Sequence, residues 1–471
     1  MNVWLLVLLI FGTIIVMSDG FSRDAAPDEG TVAALPALQY EAFWGAYVFA
    51  LVSFPLCYFY ARKTGATRGQ AVLFWFIVDT VAYSKDFAYI RVPGLPLFVT
   101  DIVLAVFLWI LWRRMGRRFL LLDRWWSRLI LAFIAVGAIS VWRGMASHQE
   151  PTLVLRDAAI VVYSLFAYVG FHMFTNWDAV RRVFVAMAVG SIFATLSGLA
   201  WFLAQPDQRR FIPYGVFVLA SLVGMIVLTI NGKIRPSLGW TLSAILLVGV
   251  LLINARTIFV GLAFGVFVMA VVSSSGKLRV SARSLRLLAG ITVALLLVLW
   301  AASQTKAGSA IVERAGTELV SGTLNYSEDP NATFRLVAWF EAFQRFSANP
   351  ALGEAYGIPF TFEFDAGDAR PHNTYLTVLY KMGVFGLAPL LLLLAGFHWK
   401  GWKNLRRLGS TSEAPVLYAL LLGQLLMSIF GILNLLLESP FLASIFWLTV
   451  GIGLRMMAAP AVPVRQRVAA S

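Results

Sequence analysis

The sequence predicts an all-α fold: a polytopic membrane protein of about 14 transmembrane helices with one large outer loop that carries an amphipathic helix. Three observations lead there. The chain is 59% hydrophobic and 13% charged, with a mean hydropathy of +0.78, too apolar for a soluble domain. Apolar runs near membrane-spanning length recur from one end to the other. Lys and Arg gather in the gaps after every second run, which is the positive-inside pattern.

The spans are expected near residues 3–17, 41–60, 71–90, 98–112, 129–145, 157–175 and 183–204 in the first half. They continue near 211–230, 237–253, 257–275, 287–303, 373–397, 414–434 and 441–458. The run 3–17 lacks a basic segment before it and a small-residue cleavage site after it, so it reads as an uncleaved helix. Segment 71–90 carries Asp79, Lys85 and Asp86 and is the weakest span, half-buried or re-entrant as an alternative.

Basic clusters include Arg62/Lys63/Arg68, Arg113 to Arg128, Arg181/Arg182, Lys233/Arg235, Lys277 to Arg286 and Lys400 to Arg407. With both termini cytoplasmic, all of them fall on the cytoplasmic side. The formal charge of +14 is therefore topology and not a nucleic-acid footprint. Cys57 is the only cysteine, which excludes an internal disulfide and a thiolate metal cluster.

Loop 303–371 is acidic in a basic protein, with Glu313, Glu318, Asp329, Glu354, Asp365 and Asp368 among its charges. Within it, Thr333 to Ala348 reads as an interfacial amphipathic helix with Leu336, Phe340 and Phe343 on one face. Asn331 or Thr333 caps its start, Glu341 and Arg345 pair one turn apart, and Asn349-Pro350 ends it. Its aromatic face turns either to lipid or to the bundle.

The stretch Arg370-Pro371-His372-Asn373 leads from this polar loop into nearly pure hydrocarbon, and charge-capable groups at that depth usually mark function. Four arginines share the outer face with His372: Arg156, Arg256, Arg335 and Arg370. A guanidinium matches two phosphate oxygens and stays charged, so this set suits a diphosphate carried on a lipid. Head-group snorkelling is an equal reading for Arg156 and Arg335. Arg256 sits in a very short turn without an acidic neighbour, which favours function. Arg209 and Arg210 break the charge bias at the same face. His372 either bonds to backbone or acts as a base toward a hydroxyl. Asn373 orients the ring or binds a sugar hydroxyl, and Gly383 and Gly386 permit close helix approach.

His372-Asn373, nine residues, Gly383, two residues and Gly386 resemble the signature of the bacterial O-antigen ligase and polysaccharide polymerase superfamily. Phe334-Arg335-Leu336, Trp339, Asn349-Pro350, Leu352-Gly353 and Tyr356-Gly357 resemble that family's outer-loop helix and glycine turn. Ala255-Arg256-Thr257 resembles an arginine-bearing helix start, and Arg91 to Asp101 is a fainter echo. The resemblance runs from about Ser237 to Ala395. It divides the chain into amino-terminal helices (1–236), a ligase/polymerase-like core (237–397) and carboxy-terminal helices with a tail (398–471).

The resemblance implies a glycosyltransferase of the bacterial inner membrane that takes undecaprenyl-diphosphate-linked glycan at the periplasmic face and inverts the anomeric carbon. It implies no metal and no cofactor, His372 as catalytic residue, and Arg256, Arg335, Arg370 and Arg156 on the diphosphate. The acceptor is a second lipid-linked glycan for a polymerase, which is slightly favoured, or a lipid A core sugar for a ligase. Polysaccharide export or chain-length proteins are expected partners, and nucleic acid is not. A transporter or flippase is the alternative of another class, with Asp79 the main polar residue in its favour. A non-catalytic scaffold leaves Arg256 and His372 unexplained.

Overall fold

The computed structural model describes residues 44–90, 98–204, 215–253, 256–274, 330–361, 370–409, 411 and 413–458. The expected spans 3–17 and 287–303 lie outside these residues, as do Arg91 to Pro96, Arg209, Arg210 and much of loop 303–371.

The regular structure of the described residues is helical, almost all of it α. In order, the helices are α1 (Trp44–Lys63), α2 (Arg68–Tyr83), α3 (Lys85–Ala88), α4 (Val99–Met115) and α5 (Arg124–Ala146). After them come α6 (Pro151–Val162), α7 (Phe166–Met173), α8 (Trp177–Ala204), α9 (Gly215–Ile230), α10 (Pro236–Ile253) and α11 (Arg256–Ser274). The outer-loop helix α12 (Pro330–Ala348) precedes α13 (Thr374–Leu408), α14 (Ala414–Leu433) and α15 (Pro440–Ala458). Seven described helices are long and apolar enough to cross a membrane, with α6 and α7 counted as one continuous rod. Helices α9 and Thr257–Met269 of α11 are apolar but shorter. The chain is an all-α polytopic membrane protein.

Local sequence explains the departures from expectation. The rod Pro151–Met173 starts earlier than residue 157 because Pro151 takes the first helical turn, where its missing N–H costs nothing. Segment 71–90 is a 16-residue helix that breaks at Ser84, φ +55, before the single turn of α3. Its Asp79 is fully buried, with both carboxylate oxygens 2.9 Å from Ser53 Oγ. Helix α13 runs past residue 397 to Leu408, since its basic end stays helical after the hydrocarbon stops.

Contacts sort the connections into two ends of the bundle. At one end Arg182 Nη1 donates to Thr64 O at 2.9 Å, and Lys400 meets Asp123 at 3.0 Å. At the other end Tyr356 N reaches Ser140 O, Gly357 N reaches Asp157, and Thr374 reaches Glu438. Arg182 and Lys400, from two of the basic clusters, mark the first end, and His372 sits at the second.

Helix α12 starts at Pro330, so Asn331 and Thr333 lie inside its first turn and not at its cap. The expected Glu341–Arg345 pair forms at 2.8 Å. Ala338 and Ala342 are buried against Phe360, Tyr380 and Leu376, while Leu336, Phe340 and Phe343 stay about half exposed or more. The aromatic face thus turns away from the bundle, as an interfacial helix requires.

Candidate active site at the outer end of α13

Helix α13 begins where Asn373 stops the loop. Its backbone is extended, φ −148° and ψ 104°, and its Oδ1 accepts the N–H groups of Tyr375 and Leu376, both at 3.0 Å. That cap engages the carbonyl of Asn373, leaving its amide NH₂ for any further role. His372, one residue earlier, has φ +49, a left-handed conformation that side-chain-bearing residues seldom adopt and that clusters at functional sites. Trp339 Nε1 holds the preceding Pro371 carbonyl at 2.8 Å, and the Phe334 ring stands edge-on to the imidazole at 6.1 Å.

Among the described residues no hydrogen bond fixes the His372 ring, so the backbone-anchored alternative has no partner there. Burial holds its pKa below the ordinary imidazole value, and the guanidiniums of Arg335 and Arg370 push it lower still. The neutral form, which accepts a proton, is thereby favoured.

Beside the imidazole lies a denser charge cluster. Asp157, 5% exposed, takes Lys381 Nζ at 3.2 Å and the Gly357 N–H at 3.0 Å on one oxygen. Its other oxygen faces Arg156 at 3.4 Å and Arg370 at 4.0 Å. Lys381 also reaches Glu354 at 3.3 Å and the Ile358 carbonyl at 2.5 Å. Glu354 in turn meets Arg345 at 3.5 Å, and burial keeps its carboxyl above the ordinary value despite both cations.

The loop between α12 and α13 is seated by a break in α13. Gly383 has φ +65 and ψ −166 in mid-helix, which frees hydrogen-bonding groups on both sides. Tyr380 and Lys381 carbonyls accept Glu354 and Ala355 N–H, while Val384 and Phe385 N–H donate to Pro350 and Ala351 carbonyls. Gly383 therefore serves a backbone exchange with the loop, where close helix approach was expected. Gly386 faces Met382 of its own helix, where an added Cβ would lie 2.3 Å from the Met382 Cβ. Arg143 Nη1 adds bonds of 3.0 Å to the Leu352 and Gly353 carbonyls.

The structure thus brings Arg156, Arg335 and Arg370 into one electropositive neighbourhood around His372 and Asp157. Arg256 opens α11, and its side chain lies outside the described residues. Sequence reasoning passed over Lys381, Asp157 and Glu354 as site residues. The available signal was Lys381 itself, an ammonium group inside an apolar span.

The family model for O-antigen ligase matches residues 241–391, which hold Arg256, α12, His372, Asn373, Gly383 and Gly386. The chain is also 32% identical over 137 residues to an O-antigen ligase of Pseudomonas aeruginosa, a match covering 27% of this chain. It spans about a third, 34%, of that relative's length. This matched core, under half of the chain, supports the resemblance to the O-antigen ligase-like superfamily.

Proposed function

We propose that this protein is a metal-independent, inverting glycosyltransferase of the bacterial inner membrane that transfers glycan from an undecaprenyl-diphosphate carrier. The transfer takes place at the periplasmic face, to a sugar hydroxyl. The observation that carries the reading is His372: a partly buried imidazole without a protein hydrogen bond among the described residues, pressed toward neutrality by burial, Arg335 and Arg370.

In the reaction, His372 takes the proton of the acceptor hydroxyl and the oxygen attacks the anomeric carbon from the face opposite the carrier. The bond from that carbon to the diphosphate breaks, and undecaprenyl diphosphate leaves with the electron pair. Arg335, Arg370, Arg156 and Arg256 stabilise the charge that gathers on it. Asn373, its oxygen engaged in the cap, offers its NH₂ to the acceptor. No cofactor enters this chemistry, and both chain termini are cytoplasmic in this orientation.

The sequence leaned slightly to a polymerase. The matched family and the Pseudomonas relative are both named O-antigen ligase, which favours lipid A core as the acceptor. Purified protein in proteoliposomes, given an undecaprenyl-diphosphate-linked oligosaccharide and lipid A core, tests this. Transfer to the core supports the ligase, elongation of the donor with no core product supports the polymerase, and no transfer to either overturns the enzyme reading. The flippase alternative loses ground because Asp79, its main polar residue, is packed against Ser53 in a closed helix contact.

A further inference from the structure

We propose that Lys381 is a positioning residue that keeps Arg370 available to the anionic donor by holding the Asp157 carboxylate, an inference that rests on the diphosphate reading above. The ammonium group donates to the Ile358 carbonyl at 2.5 Å and lies in ion-pair contact with two carboxylates, Asp157 Oδ2 at 3.2 Å and Glu354 Oε1 at 3.3 Å. Its residue is 2% exposed, so this arrangement has no water to exchange with. The backbone is equally fixed, because the Lys381 carbonyl accepts the Ala355 N–H beside the Gly383 break.

Asp157 consequently gives one oxygen to Lys381 and the Gly357 N–H, while its other oxygen meets Arg156 at 3.4 Å and only approaches Arg370. A well-formed guanidinium–carboxylate pair has contacts of about 2.7–2.9 Å and is often bidentate. The Arg370–Asp157 distance is 4.0 Å, at the limit of an ion pair, and the Arg370 side chain is 17% exposed. Arg370 makes no other ion pair among the described residues. Its fork of donors is therefore open to phosphate oxygens while a carboxylate nearby keeps it from repelling its neighbours.

Removing the ammonium leaves a buried carboxylate compensated only by the looser Arg156 contact and the Gly357 N–H, the costly half of a buried pair. Arg156 already touches the other Asp157 oxygen at 3.4 Å, so the cation with distance left to close is Arg370, at 4.0 Å, which would swing in on Asp157. Donor binding then suffers while the imidazole and the acceptor remain in place. The signature is a loss in donor KM with little change in kcat, and it is relieved by removing the carboxylate as well. A lysine that only holds the fold shows no such relief.

The test uses the full chain in proteoliposomes with an undecaprenyl-diphosphate-linked oligosaccharide, and separately the binding of inorganic pyrophosphate. Lys381→Met should raise donor KM at least about tenfold, the scale of breaking one buried charge pair, and weaken pyrophosphate in parallel. Asp157→Asn/Lys381→Met should recover most of that loss. Asp157→Asn alone should lower donor KM, and it carries the test if Lys381→Met fails to insert. A folded double variant as impaired as Lys381→Met, or an Asp157→Asn donor KM raised as far as that of Arg370→Ala, overturns the proposal. If pyrophosphate binding follows the expected order across the variants but the wild-type protein never transfers glycan, the glycosyltransferase reading fails and the positioning role stands. If it binds neither ligand, both fall.

Discussion

Gly353 and Gly383 interlock: each has φ +65, and a Cβ on either would collide with the backbone of the segment that carries the other. A Cβ on Gly353 would lie 2.5 Å from the Tyr380 carbonyl oxygen, and one on Gly383 would lie 2.2 Å from the Ala351 carbonyl oxygen. This contact seats the loop carrying Glu354 against the helix that begins beside His372.

Gly383→Ala should therefore cost stability, through both the left-handed backbone and the collision, by about 1–3 kcal/mol. Thermal unfolding in detergent, followed by tryptophan fluorescence, should show a lower midpoint. An unchanged midpoint would mean that the loop is not seated through this glycine.

The pH profile should carry the signature of His372. Because burial, Arg335 and Arg370 all lower its pKa, the acidic limb of kcat/KM should lie below the ordinary imidazole value of about 6.5. Activity falls only as pH drops through that lowered value, when the base becomes protonated. Arg335→Gln removes one of the opposing charges and should move the limb toward higher pH. A limb that stays still, or moves down, would contradict the electrostatic account.

How much of this was legible in the sequence depends on which forces act locally. Helices α5, α8, α10, α14 and α15 follow from hydropathy, since each apolar run must enclose its own backbone groups in lipid. The end of α13 did not follow, because Lys400 to Arg407 continue the helix after hydropathy has ended. The His372–Arg370 pair was legible as neighbours in a run. The Asp157–Lys381–Glu354 cluster was not, because three segments far apart in sequence meet only after packing. The break at Gly383 was also hidden: a glycine inside an apolar span reads as a helix contact until the loop that fills the break is seen.

Thr374 couples the start of α13 to the turn between α14 and α15. Its hydroxyl donates to Glu438 Oε2 at 2.5 Å and accepts the Leu436 N–H at 2.7 Å. Thr374→Val should destabilise the protein by about 1–3 kcal/mol, the cost of leaving buried partners unmade. Hydrogen exchange should quicken at Leu436 and Leu437. Unchanged protection there would show that the hydroxyl does not hold the turn.

Arg256 should bind the donor diphosphate through its bidentate fork. Arg256→Lys keeps the charge but loses the fork, so transfer should still fall strongly. Full donor binding in Arg256→Ala would remove it from the site.

The central claim, that His372 is the base, is tested most directly by glycan transfer from purified His372→Ala in proteoliposomes, beside a measurement of donor binding. The account predicts a folded, inserted protein that still binds the lipid-linked donor while its transfer rate drops about 10²–10⁴-fold, the usual contribution of a general base. Near-normal transfer by the folded variant would contradict it.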